Sequence, residues 1–185
     1  MTRSAAITLN AAGLYGVALV LAVAFGAQLW LHELPCPLCL LQRVQFAMLA
    51  IGPILNIRFG PRPSHCGVSL LAALLGATVA ARQIFLHILP GDPGFGTALL
   101  GYHYYTWAFL GFTAAVALIA VMLLFDKQFE RDVAAEPAPV GGFARTAVWL
   151  VIALTALNVL STVLECGFQA CPDDPKEYEL LKQWR

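Results

Sequence analysis

Charges are so sparse along this chain that the spacing between them is the first pattern to read. Ala11 to Leu31 runs 21 residues without a charge, Tyr104 to Phe125 runs 22, and Thr146 to Leu164 runs 19. About 20 apolar residues carry a helix across the hydrocarbon core of a bilayer, so each run predicts a transmembrane helix. Two further segments are less pure. Leu40 to Ile57 carries Gln42, Arg43 and Gln45 in its first turns, and Gly67 to Leu89 is apolar until Arg82, Gln83 and His87. The pattern predicts an all-α polytopic membrane protein with five spans. The first run exceeds the roughly 7–15 apolar residues of a signal peptide and has only Arg3 before it, so an uncleaved helix is expected.

Composition strengthens this reading. Hydrophobic residues make up 59% of the 185 and charged residues 12%, against about 25% charged in soluble domains. Net charge is zero and no basic block interleaves with aromatics, so lipid rather than nucleic acid is the expected partner. A transporter is set aside, because neither a discontinuous helix pair nor a buried carboxylate is expected.

Five crossings place the termini on opposite sides. With the N-terminus cytoplasmic, the inner segments hold Arg3, Arg58, Arg62, Lys127, Arg131 and Arg145, whereas outer loops 32–39 and 90–103 hold no Lys or Arg. Excess Lys and Arg in short loops marks the cytoplasmic side. Cys36, Cys39, Cys166 and Cys171 then fall outside, where disulfides persist, and Cys66 falls inside as an inert thiol. Residues 126–145 form a polar linker with Pro and Gly. In the outer tail, Asp174 and Pro175 predict a helix start, and Tyr178, Leu181 and Trp184 predict a short helix lying on the membrane surface.

The chemistry concentrates in LPCPLCLLQR, residues 34–43. Pro35 ends the first helix and Pro37 suits the first turn of the second. Cys39 then sits among the unpaired N–H groups of a helix N-terminus, with Arg43 one turn further on. Both features favour the thiolate, the reactive form. A charge inside a span costs about 2.5–3.5 kcal/mol at mid-membrane, which singles out Arg43; snorkelling to the interface is its plainer explanation.

CPLCLLQR at the start of a membrane helix resembles the DsbB family of membrane thiol:quinone oxidoreductases, and GYHYYTWAF at 101–109 is similar to members of the wider family. The resemblance covers residues 10–125. It implies a four-helix bundle, here with a fifth helix added, dividing the chain into a core (1–125), a linker (126–145) and a fifth span with cysteine-bearing tail (146–185). It further implies electron transfer from a soluble periplasmic thioredoxin-fold oxidase of the DsbA type to a membrane quinone, ubiquinone or menaquinone, in a bacterial inner membrane. By matching position, Cys39 faces the quinone, Cys36 is its disulfide partner and Arg43 belongs to the quinone site. The family's second pair commonly lies between helices three and four; here that loop has no cysteine, and Cys166 and Cys171 follow the fifth helix instead.

Other residues carry two readings. Gln42, Gln83 and His87 can line a quinone pocket, and so can His103, but packing and an aromatic interfacial belt explain the same residues. Cys166 and Cys171 form either a relay pair or a structural clasp. Two rival functions remain: a non-catalytic membrane subunit with structural disulfides, and an electron-transfer subunit whose His87 and His103 ligate haem. No metal site is expected, since the second pair lacks zinc-ribbon spacing.

Overall fold

The structure, a computed structural model, describes residues 1–130 and 140–182. Arg131, Trp184 and Arg185, and residues 131–139 of the expected linker, lie outside the described residues. Helix α1 (Arg3–Trp30) starts on Thr2, whose hydroxyl accepts the Ala5 N–H at 3.2 Å, satisfying one orphan donor of the first turn. Helices α2 (Pro37–Leu49) and α3 (Ile51–Phe59) form one interrupted span. Then come α4 (Pro63–Leu86), a hairpin of β1 (Ala98–Leu99) and β2 (Tyr102–His103), α5 (Tyr104–Leu123), α6 (Gly142–Cys166) and a last turn, α7 (Glu179–Lys182). Among the described residues, five helical segments are long and apolar enough to cross a membrane. The chain is an all-α integral membrane protein.

The interruption at Ala50 has a covalent cause. Pro53 has no N–H, so the carbonyl of Leu49 loses its helical donor. The Ser69 hydroxyl of α4 donates to that carbonyl instead, at 2.7 Å. Inside a membrane a freed backbone carbonyl needs such a partner, because no water can serve it. Gly52 lies at this crossing, where a Cβ would collide with Ser69 and the His65 carbonyl.

The packing order runs α6, α1, α2/α3, α4, α5. Phe112 of α5 is fully buried against Gly76 of α4, where any Cβ would strike its ring. It also stacks on Phe46 of α2 with ring centroids 4.0 Å apart. This stack ties the second, third and fourth spans together. At the opposite end from the cysteine pairs, Asn56 donates to Asn10 at 3.0 Å, and its oxygen accepts the Arg62 N–H at 3.1 Å. Leu19, Leu71, Leu118 and Trp149 point outward, as expected where the solvent is hydrocarbon.

Two expectations are corrected. The tail does not become helical at Asp174 and Pro175; α7 begins only at Glu179. Pro175 is buried and the Tyr178 hydroxyl lies 3.0 Å from Gln28 Nε2, so the tail folds back onto the bundle rather than lying along the surface. A buried carboxylate does exist. Helix α6 continues past Leu164, and Glu165 is 0% exposed with no hydrogen-bond partner on either oxygen among the described residues. One interrupted span still falls short of the paired broken helices that build transporter sites.

Candidate functional site

The first cysteine pair is placed by the two prolines. Helix α1 ends at Trp30 and α2 opens with Pro37 in its first turn. Cys36 is therefore the N-cap, and its sulfur accepts the Cys39 N–H at 3.2 Å. The two cysteines form a disulfide with Cα atoms 5.0 Å apart. Cys36 is buried and Cys39 half-buried.

A glutamine from α4 reaches both sulfurs. Gln83 is 1% exposed; its Nε2 lies 3.3 Å from Cys36 Sγ and 3.5 Å from Cys39 Sγ. Gln42 orients it by donating Nε2–H to Gln83 Oε1 at 2.8 Å. This leaves the Gln83 amide group as a donor toward sulfur. On reduction the same N–H groups and the helix N-terminus would stabilise negative charge on sulfur.

Cys39 also borders a cavity of about 370 Å³ between α1, α2 and α5. That size falls within the roughly 300–1,000 Å³ of small-molecule sites, which commonly lie between helices of bundles. Its walls are mostly apolar, with Gln42, Arg43 and Gln28 as the polar exceptions deep between the helices. Phe95, Gly96 and Leu99 of the outer loop complete the lining. That loop is tied down by Glu33, which accepts the Thr97 N–H at 3.1 Å and also the Thr97 hydroxyl. Trp107 Nε1–H donates to the Leu99 carbonyl at 3.0 Å. Leu100 and Gly101 have φ of 53° and 83° and turn the hairpin; for Leu100 this is a sparsely populated conformation costing about 1–3 kcal/mol.

Arg43 is directed away from Cys39 toward α1 and α6. Its Nη1 donates to Gln28 Oε1 at 2.7 Å and Asn158 Oδ1 at 3.1 Å, and its Nη2 to the Ala24 carbonyl at 2.9 Å. A guanidinium has five N–H donors, so among the described residues two are left without a hydrogen bond. Gln28, Asn158 and Glu33 were not singled out from the sequence. An isolated polar residue in or beside a long apolar run was the only available signal.

Gln42 and Arg43 line the cavity, whereas Gln83 stands behind Gln42, and His87 and His103 flank the cavity-lining Tyr105. His87 and His103 stack on Tyr105 with centroid separations of 5.6 and 5.3 Å. His87 also pairs with Asp92 at 3.0 Å. The Gly94 N–H and then the His87 ring hold the Asp92 carboxyl below the usual range.

Cys166 and Cys171 form the second disulfide, with Cα atoms 4.6 Å apart at the end of α6. Cys166 is buried and Cys171 half-buried. Gly167, at φ 63°, turns the chain out of the helix, and the next residue, Phe168, is 93% exposed. Cys66 is a buried free thiol near Asn56, at the other end of the bundle.

The family model for disulfide bond formation protein DsbB matches residues 6–98. This takes in α1 to α4, the first cysteine pair and the outer loop as far as β1. It stops short of the 10–125 expected from the motifs, and α5, α6 and the second pair lie beyond it. Disulfide bond formation protein B of Xanthomonas axonopodis pv. citri (strain 306) is 39% identical over 85 residues, covering 43% of this chain and 49% of that protein. The protein of the same name from Azoarcus sp. (strain BH72) is 30% identical over 129 residues, covering 51% of this chain and 77% of that protein. The Chromobacterium violaceum protein is 40% identical over 72 residues, covering 36% and 42%. The chain thus spans about half the length of the Xanthomonas relative. No solved structure matches it. With half its length matched, including the prolines and cysteines that build the site, the chain belongs to the DsbB family.

Proposed function

We propose that this protein is a membrane protein-thiol:quinone oxidoreductase that generates disulfides. The observation that carries the reading is a disulfide at a helix N-terminus opening onto an apolar cavity that also holds Gln42 and Arg43. The cavity suits a flat apolar ring with carbonyl oxygens, since its walls are greasy and Arg43 retains N–H donors. A quinone bound there, ubiquinone or menaquinone, supplies the acceptor for two electrons and two protons.

The chain's residues divide the remaining work. Cys39, at the cavity wall, presents its thiolate, and Cys36 closes the disulfide behind it. Gln83, held by Gln42, solvates the sulfurs while they carry charge. Arg43 fixes a carbonyl oxygen of the acceptor. Tyr105, on which His87 and His103 both stack, forms part of the outer wall.

Cys166 and Cys171 receive electrons from a soluble thioredoxin-fold dithiol of the DsbA type. Two thiols there become one disulfide while the Cys36–Cys39 bond is reduced, each exchange passing through a mixed disulfide. The distribution of Lys and Arg supports a cytoplasmic N-terminus, with both pairs on the periplasmic side of a bacterial inner membrane. Residues 1–125 then form the redox core and residues 146–185 an added span and tail, joined by 126–145.

The test is the thiol state of the protein in membranes. In quinone-depleted vesicles supplied with a reduced thioredoxin-fold dithiol, alkylation should find all four outer cysteines reduced. Adding a quinone should reoxidise both pairs and turn the dithiol over. Pairs that stay disulfide-bonded throughout, with the dithiol unoxidised, would make them structural clasps.

A further inference from the structure

Polar residues on α6 do more than the transport of a cysteine pair requires. Asn158, Ser161 and Glu165 follow one another at three and four residues, so they share one helix face, and all three are buried. In a bilayer such side chains are expensive unless a neighbouring helix receives them. Two of the three are received at Arg43 and Gln28. Asn158 Oδ1 accepts directly from Arg43 Nη1 at 3.1 Å. Ser161 Oγ accepts from Gln28 Nε2 at 2.7 Å, and the Tyr178 hydroxyl accepts from the same nitrogen at 3.0 Å. Gln28 Oε1 in turn accepts from Arg43 Nη1 at 2.7 Å.

The guanidinium is therefore held by Gln28 and the Ala24 carbonyl of α1 and by Asn158 of the fifth span, and Gln28 is in turn held by Ser161 of that span and Tyr178 of the returning tail. None of Asn158, Ser161 and Tyr178 lies within residues 6–98, the part matched by the family model. An arginine free to choose among rotamers loses that freedom when it grips a ligand; one already held does not.

We infer that the fifth span and tail set the acceptor cavity's arginine from behind, with Asn158 acting directly, and Ser161 and Tyr178 acting through Gln28, as positioning residues for Arg43. The inference rests on the quinone reading given above. It makes the added helix a support for the arginine of that cavity, not only the stalk of the second cysteine pair.

The experiment measures binding without turnover. Full-length protein is used fully oxidised, with both disulfides closed, so no electrons can pass to the probe. The probe is a short-chain soluble quinone, titrated by calorimetry. Asn158→Leu should weaken binding about ten-fold, as expected for a lost hydrogen bond to a charged group, and Tyr178→Phe about four-fold, since its hydroxyl bonds the neutral Gln28. Asn158→Asp keeps the acceptor oxygen and should bind within about two-fold of the parent. Melting temperatures without quinone are recorded on the same samples. Parent-like affinity in Asn158→Leu and Tyr178→Phe, with the parent binding normally, would overturn this inference and leave the quinone reading intact. A parent that binds no quinone would overturn both. Equal weakening in Asn158→Leu and Asn158→Asp, with a shared fall in melting temperature, would reduce Asn158 to a structural role and overturn the inference as well.

Discussion

The two disulfides pair a buried cysteine with a half-buried one in each case, yet their surroundings differ. Cys36 and Cys39 sit at the start of a helix, with the Gln83 amide on both sulfurs and an apolar cavity alongside. Cys166 and Cys171 close a short loop beyond a helix end, with Phe168 fully outward between them. The first pair is enclosed by donors and greasy walls, which suits charge development out of water. The second is presented at the edge of the fold, which suits collision with another protein. On the proposed function, placement at a helix start or just past a helix end accompanies the division into an inward-facing and an outward-facing pair.

The sharpest way to break this comparison is to remove each pair in turn. Cys39→Ser should abolish quinone reduction whatever the electron source. Changing Cys166 and Cys171 both to Ser should abolish oxidation of a thioredoxin-fold partner but spare quinone reduction driven by a small chemical dithiol. If both variants lose both activities equally, the division of labour is wrong.

Within the second pair, exposure predicts the point of attack. Cys171 is the more exposed residue of the two, so Cys166→Ser should accumulate a mixed disulfide between Cys171 and the partner. Cys171→Ser should accumulate little. Non-reducing electrophoresis reads the outcome, and the reverse pattern would move the attack to Cys166.

A smaller effect belongs to Gln83. Replacing it by Leu removes the side-chain donor from both sulfurs of the first pair and leaves Gln42 without its acceptor. Hydrogen bonds contribute about 1 kcal/mol each, more to charged groups, so single-turnover quinone reduction should slow roughly ten-fold. The redox state of Cys166 and Cys171 under partner-driven reduction should not change. Equal slowing at the second pair would show that Gln83 acts through the fold.

The same contrast of interior and edge governs what could be read from sequence. Three of the spans were legible as uninterrupted apolar runs of a length set by the bilayer, and the other two as apolar runs with a single arginine near one end. The helix start at Pro37 was legible because proline chemistry is local. The polar network around Arg43 was not legible, because Gln28, Asn158 and Ser161 each look like a single polar blemish until helix packing order is known. Glu165 was missed for a related reason: the apolar run ends at Leu164, but the helix does not. The tail misled because Asp174 and Pro175 carry a helix-start signal, while burial of Pro175 and seating of Tyr178 on Gln28 draw the chain inward instead.

The smallest expected effect lies at the outer loop over the cavity. The Asp92 carboxylate is held below its ordinary range by the Gly94 N–H and His87. A depressed acid of this kind contributes order above the unfolded range, near about 4, and loses it as pH falls through the lower folded value. Amide exchange at Gly94 should therefore quicken only in strong acid, below the usual carboxylate range. The Asp92→Asn variant should show no such acid step.

The account stands most directly on one reaction. The purified protein is reduced, freed of reductant without oxygen, and mixed with one equivalent of a soluble quinone beside a Cys39→Ser control. Loss of quinone absorbance in a single rapid phase, absent from the control, is the result expected here. A folded, fully reduced protein that leaves the quinone untouched would contradict the account and make LPCPLCLLQR a structural clasp.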